Sequence, residues 1–536
     1  VTSTEGYDAI VIGAGHNGLV AAAYLARAGL RTLVLERRDT VGGAAITSEL
    51  APGIRVPTLA HTVGRLRPSV VRDLELRRFG LSLVAPEVRV FAPSLDGSAI
   101  VLRGDVERTA DGLRAVSDHD AEAYPKFDRL VRALSGFLGD LAGRTPPDIE
   151  SPGLGDALAG LQLGRTFRGL GREDGHTITR ALPMAVADFV AESLENDRLR
   201  AAIAWRGVQY TAMGPWSAGT TAVLLTESAG NDGGAAGQTV FARGGPGALS
   251  AALEASARAL GVEVRTGAPV ASIASKDGRA TGVVLELGEE IRARAVVSGT
   301  DPKRTLTALA DPVEVGPNLL WRAANIRTPG TVAKVNLALG ALPSFPAPGD
   351  DPTLLRGRIL VAPGIDAMER AHDAAKFGRL GDELILEATM PSLVDPSLVD
   401  GAQPGTHVMS VIVGAVPYGL RNGTWDEQRE TLGDRVVATL DALAPGLAGS
   451  VIARQVITPL DLERDFGLTG GNPMHGEHGL DQFYLWRPLL GHARYRLGLE
   501  GLYLAGAGSH PGGGVTGWNG QNAAREIVAD LRRRRR

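Results

Sequence analysis

One segment, Tyr7 to Glu36, limits what the chain can fold into more than any other. An apolar run, Asp8-Ala9-Ile10-Val11-Ile12, stops at Gly13-Ala14-Gly15-His16-Asn17-Gly18. An Ala-rich stretch of helical character then runs from Leu19 to a Gly29 cap, and a second apolar run, Thr32-Leu33-Val34-Leu35, ends on Glu36. Strand, glycine turn, helix, strand and terminal acid fall within the ~30 residues of a βαβ unit that binds a dinucleotide. Gly13 allows the tight turn, Gly15 lets backbone approach a pyrophosphate, and Gly18 permits close packing of helix on strand. The helix start at His16 and Asn17 offers unpaired N–H groups, and Glu36 accepts hydrogen bonds from a ribose diol.

Three further glycine clusters follow. Gly42-Gly43-Ala44 comes directly after the ribose acid and predicts a second backbone segment against the same dinucleotide. Arg243-Gly244-Gly245-Pro246-Gly247 leads into an amphipathic helix and short strands, including one around Val270 to Ile273. Near the C-terminus, the strand-like Gly501 to Ala505 precedes Gly506-Ala507-Gly508-Ser509-His510-Pro511-Gly512-Gly513-Gly514-Val515-Thr516-Gly517 and a closing helix from Asn519. Such a loop lets backbone meet a flat ligand from several directions.

These motifs resemble the flavoprotein superfamily of phytoene-type desaturases, retinol saturase and amine oxidases. The C-terminal loop is similar to the desaturase-like branch. Gly15 to Leu19, together with Thr458 to Pro488, resembles a subgroup labelled as pyridine nucleotide-disulfide oxidoreductase domain proteins. The resemblance implies an α/β fold: a discontinuous Rossmann-like FAD-binding domain over 1–75, 235–305 and 450–536, with an α+β substrate domain inserted over 76–234 and 306–449. It implies FAD as cofactor, held by Gly13, Gly15, Asn17, Gly18, Glu36, Gly42, Gly43, Val270, Gly506, Gly508, Gly513, Gly514 and Val515. It also implies hydride transfer between flavin N5 and a carbon of an apolar, isoprenoid or lipid-like substrate. The alternatives are an O2-using oxidase and a flavin-loaded interaction protein with vestigial activity.

Composition removes other chemistries. There is no cysteine, which excludes disulfide exchange, thiolate catalysis and Cys-ligated metals, so the subgroup's disulfide label is chemically empty for this chain. No second G-x-G-x-x-G βαβ unit serves a nicotinamide. A net charge of −4 gives no footprint for nucleic acid. The Arg532 to Arg536 run reads as a solvated fray, or alternatively as a weak tether of peripheral type to anionic lipid. No apolar span or secretory signal is visible, so a cytoplasmic location follows by default.

For acid–base chemistry, Lys334 interrupts the apolar run Thr331 to Leu339 and resembles the flavin-side lysine of the superfamily's amine oxidases. A solvent-exposed strand lysine fits the pattern equally. Ala44 and Ala507 stand where amine oxidases carry Arg and an acid, which argues against an amine substrate. His510 could line the flavin or simply orient its loop, and His61 could reach the cavity or serve structure. His475 and His478 have no third ligand, so no metal site is expected.

Overall fold

A computed structural model of the chain describes residues 6–150, 152–230, 235–237, 239–346 and 351–533. Two seven-stranded sheets organise it. In the first, Tyr7–Ile12 lies between Glu290–Ser298 and Thr32–Leu35, and Glu263–Arg265 continues beyond Thr32–Leu35. All these pairings are parallel, and Leu502–Leu504 also runs parallel to Val296 to Ser298. Parallel strands need crossover helices, which bury them on both faces. Accordingly, nearly all of Tyr7–Ile12 and Thr32–Leu35 is buried. The helix His16–Arg27 packs against the closing helix Trp518–Arg533 and the helix Pro246–Ala259. Contact this close needs small residues: a Cβ on Gly520 of the closing helix would stand 2.2 Å from the Asn17 carbonyl oxygen.

The second sheet runs Val451–Ile457, Val332–Leu339, His407–Gly414, Ile385–Thr389, Arg358–Val361, Val88–Pro93, Ala99–Arg103. All its pairings are antiparallel except Arg358–Val361 with Val88–Pro93. Helices cover it, among them Asp118–Ala142, Asp197–Val208 and Thr220–Ser228 on one side and Trp425–Leu443 on the other. Every residue of Val332–Leu339 is buried. The odd-numbered Ala333, Val335, Leu337 and Leu339 pack with Trp425 and Val436. The even-numbered residues, Lys334 among them, face the other way.

Three segments fall on the other side of the expected domain boundaries. Val451–Ile457, expected in the nucleotide domain's 450–536 portion, instead pairs along Val332–Leu339 as an edge of the second sheet. The hairpin Thr47–Ala51 and Ile54–Pro57, expected within 1–75, buries Ile54 and Val56 against Ala338 and Val408 of the second sheet. Conversely, Leu306, Leu309 and Ala323, expected to open the inserted 306–449 segment, bury against Ile10 and Val296 of the first. In each case an apolar face follows the sheet that can cover it. Of the terminal arginines, Arg532 and Arg533 end the last helix with exposed side chains, and Arg534 to Arg536 lie outside the described residues. Among the described residues no helix is long and apolar enough to cross a membrane.

Candidate active site

A cleft of about 1200 Å³, partly open to solvent, lies at the carboxyl ends of the first sheet's parallel strands. Ligands of open α/β sheets bind at that edge. Gly13, Gly15, Asn17, Gly18, Glu36, Gly43, Val270 and Gly506 all line it. Gly13 has φ +92°, which a side chain would strain, and its N–H donates to the Leu35 carbonyl at 2.7 Å. Gly15 and Gly42 bridge as parallel strands do. A Cβ on Gly43 would meet the Gly15 Cα at 3.1 Å, so two backbones touch at the mouth of the helix. Gly42 itself is tied in by its N–H to the Ala14 carbonyl.

The helix His16–Arg27 starts at Gly15 with no side-chain cap and no acid in its first turn. Among the described residues its dipole end and orphan N–H groups therefore lack a side-chain partner and suit an anion. Glu36 is buried, and its carboxylate accepts from the N–H of Ala14 at 2.8 Å and of Arg38 at 3.0 Å. Those two donors orient it and leave further lone pairs for a ligand diol. An uncapped helix end, touching glycines and an oriented acid fit a dinucleotide.

Three of the expected contacts are corrected. Gly42, Gly508 and Gly513 line neither this cleft nor the cavity beside it, and a Cβ on Gly42 would meet the Ala45 carbonyl oxygen at 2.8 Å. A Cβ on Gly508 would collide with the Pro302 ring at 2.3 Å, and one on Gly513 with the Met474 sulfur at 2.2 Å. These last two glycines let the C-terminal loop pack on protein.

Five residues, including His16, Ala44 and Ala507, line both the cleft and a second cavity of about 1000 Å³, likewise partly open to solvent, so the two spaces are immediate neighbours. Gly514 and Val515 belong to this second cavity. Leu59, Val332, Ile412, Leu462 and Leu468 give it an apolar wall.

Against that wall stands a buried polar chain. Lys334 is 3% exposed, so the solvent-facing alternative falls. In register, Lys334 pairs with Ile412, and Ile412 with Glu387, placing all three in one row on one face. His61 bridges over Ile412: its Nδ1 lies 3.2 Å from Lys334 Nζ and its Nε2 3.0 Å from Glu387 Oε1. Glu387 also accepts from Trp205 Nε1 at 2.9 Å and Arg358 at 3.0 Å.

Burial would raise the Glu387 carboxyl, but Arg358, the His61 hydrogen bond and Arg206 together hold it well below the usual range. Burial, then the Lys334 charge, depresses His61 to about 4. Neutral His61 donating Nε2–H to Glu387 presents Nδ1 as acceptor for a Lys334 N–H. Burial depresses Lys334 itself to about 7, with Glu387 opposing.

His510, the third acid–base candidate, is corrected. Its Nε2 lies 3.2 Å from the Leu141 carbonyl, its ring meets Tyr484 edge-on, and it lines neither space. The helix Asp118–Ala142 captures the imidazole, which anchors the loop. Glu387 escaped the sequence reading, although it carries the same signal as Lys334, a charge inside an apolar strand. Arg65, Arg206 and Glu227, which also line the cavity, escaped it as well.

Residues 18–528 match the family described as flavin containing amine oxidoreductase. The chain belongs to the flavin-containing amine oxidoreductase family. Pyridine nucleotide-disulfide oxidoreductase domain-containing protein 2 of Rattus norvegicus is 37% identical, covering 98% of this chain and 94% of that one. Hydroxyneurosporene desaturase of Rhodobacter capsulatus is 28% identical over 98% of each. An oxidoreductase structure from Methanosarcina mazei superposes with a TM-score of 0.61 at 16% identity, covering 98% of this chain and 99% of that one, a likeness of fold.

As a member of this family, the chain is an FAD-dependent oxidoreductase. With FAD as the dinucleotide, Glu36→Ala removes the diol acceptor and leaves the Ala14 and Arg38 N–H groups unpaired. FAD should bind about tenfold to a hundredfold more weakly, at ~1–3 kcal/mol, in a folded protein. Flavin released on ultrafiltration measures this.

Proposed function

We propose that the enzyme dehydrogenates a carbon centre of a largely apolar substrate held in the second cavity, with Lys334 as proton acceptor. The observation that carries this is the buried Lys334, His61, Glu387 chain in a cavity that adjoins the dinucleotide cleft and shares lining residues with it. Bound FAD supplies a hydride acceptor for the substrate carbon. The chain's own residues do the rest. The apolar wall orients the substrate body and excludes water. Glu387 fixes the tautomer of His61, and His61 takes one Lys334 N–H, so that the amine's lone pair can face the cavity. When Lys334 gains a proton, the new charge is stabilised through His61 by the Glu387 anion. The desaturase relative supports an isoprenoid or lipid-like substrate. An open cavity is evidence against a purely vestigial flavoprotein.

Anaerobic bleaching of the flavin by a panel of isoprenoid, lipid, amine and nicotinamide compounds tests this. Bleaching by an isoprenoid or lipid member is expected; bleaching by amines or nicotinamide alone would overturn it. The same buried lysine favours a second reading, direct use of O2, for which Lys334→Met should slow reoxidation of the reduced flavin in air. An unchanged rate removes that reading.

Glu387→Gln should cost about 3 kcal/mol of stability, because Arg358 and Arg206 then lose their shared buried anion. Urea denaturation of the holoenzyme measures this, and a loss under about 1 kcal/mol would contradict the buried pairing.

A further inference from the structure

The cavity holds more positive charge than an apolar substrate requires. Arg65, Arg206 and Arg358 are all buried, and among the described residues the carboxylates paired with them are two, Glu227 and Glu387. His478, which also faces Glu227, is pushed well below its usual pKa by burial, Arg487 and Arg65, and adds no charge. One positive charge is left over before Lys334 is counted.

The surplus falls on Arg206. Arg65 donates to Glu227 and to the Gly513 and Ala229 carbonyls, and Arg358 donates to Glu387 and Thr239. Arg206 lines the cavity from the last turn of Asp197–Val208. Its guanidinium, with five N–H donors, makes one hydrogen bond among the described residues, to Gln209 Oε1 at 2.7 Å. Glu227 and Glu387 stand 3.8 and 3.9 Å away, too far to accept, and its buried Nε has no partner among the described residues. Buried donors are nearly always satisfied, and a buried guanidinium left this bare is costly.

From this we infer that the substrate is an amphiphile with one carboxylate, which Arg206 receives while the apolar wall takes the hydrocarbon. This rests on the proposed cavity reading and narrows its substrate class. A planar carboxylate matches the guanidinium fork, and a single negative charge balances the surplus, where a phosphate would exceed it.

The test titrates the FAD-loaded enzyme with dodecanoate, dodecanol, dodecylamine and dodecyl phosphate, following perturbation of the flavin absorbance. Dodecanoate should bind at least about tenfold more tightly than each of the others. Arg206→Met should erase that preference with FAD still held at an unchanged reduction potential, and Arg206→Lys should keep part of it. Equal binding of dodecanol, tighter binding of the amine or the phosphate, or a preference that survives in Arg206→Met overturns the inference and leaves the cavity reading intact. Loss of FAD in Arg206→Met but not in Arg206→Lys assigns the arginine to the cofactor and overturns it too. If neither variant folds, the wild-type ranking alone decides. No perturbation by any of the four contradicts the cavity reading and removes this inference with it.

Discussion

Gly15→Val is expected to purify folded and colourless. Gly15 sits at φ −66° and ψ 165°, a backbone any residue adopts, and a Cβ built on it lies 3.9 Å from its nearest protein neighbour, the Gly43 Cα. The protein therefore has room for the first side-chain carbon. What a branched side chain would occupy is the cleft in front of the uncapped helix, where the pyrophosphate must reach the N–H groups of the first turn. Each charge-assisted hydrogen bond lost there is worth ~1.5–3 kcal/mol, so FAD should bind at least about a hundredfold more weakly. Circular dichroism should be unchanged while the visible absorbance is gone. Yellow protein of normal stoichiometry would refute the placement. Gly18→Ala is the contrasting control: its Cβ has only 2.2 Å to the Gly13 oxygen, so the fold itself should suffer.

Lys334→Met should lower the rate of flavin reduction by substrate about 10²- to 10⁴-fold, the range general-base catalysis spans. The sign of the pH dependence follows from burial. Lys334 accepts a proton only when neutral, and its pKa of about 7 makes the neutral fraction grow as pH rises through 7. The wild-type rate should therefore climb across that pH and level off above it. The methionine variant, unable to titrate, should be flat there. Methionine fills a similar volume, so stability should change little. A wild-type profile that falls through pH 7, or a variant with the same rising limb, would take Lys334 out of the chemistry.

What could be read in the sequence divides along a physical line. The βαβ unit was legible because its constraints are local: glycines at fixed spacing, a helix start and an acid at a strand end are all set within one supersecondary unit. Lys334 was visible as a charge inside an apolar run, but its burial was not. Whether a strand residue faces water depends on its neighbours, here Ile412 and Ile457 on the two flanking strands. Glu387 carries the same signal as Lys334, but its meaning comes from His61, 326 residues away in the chain; Arg206 lies in a mixed helix, and its meaning comes from the two carboxylates its fold brings near. His510 looked like a flavin residue because its glycine-rich loop resembles a flavin loop, yet the Leu141 carbonyl, 369 residues earlier, fixes where its ring points. The boundary near residue 450 was missed because the pairing of Val451–Ile457 with Val332–Leu339 has no local signature.

In the proposed arrangement one FAD joins the two spaces, with its ribose at Glu36 and its ring in the cavity that Lys334 lines. A crystal structure of the FAD-loaded protein tests it most directly. The expected result is a diphosphate at the start of the His16–Arg27 helix and a ring system within the cavity bounded by Ala44, Lys334 and Val515. A ring found outside that cavity, or a diphosphate away from the helix start, would contradict it.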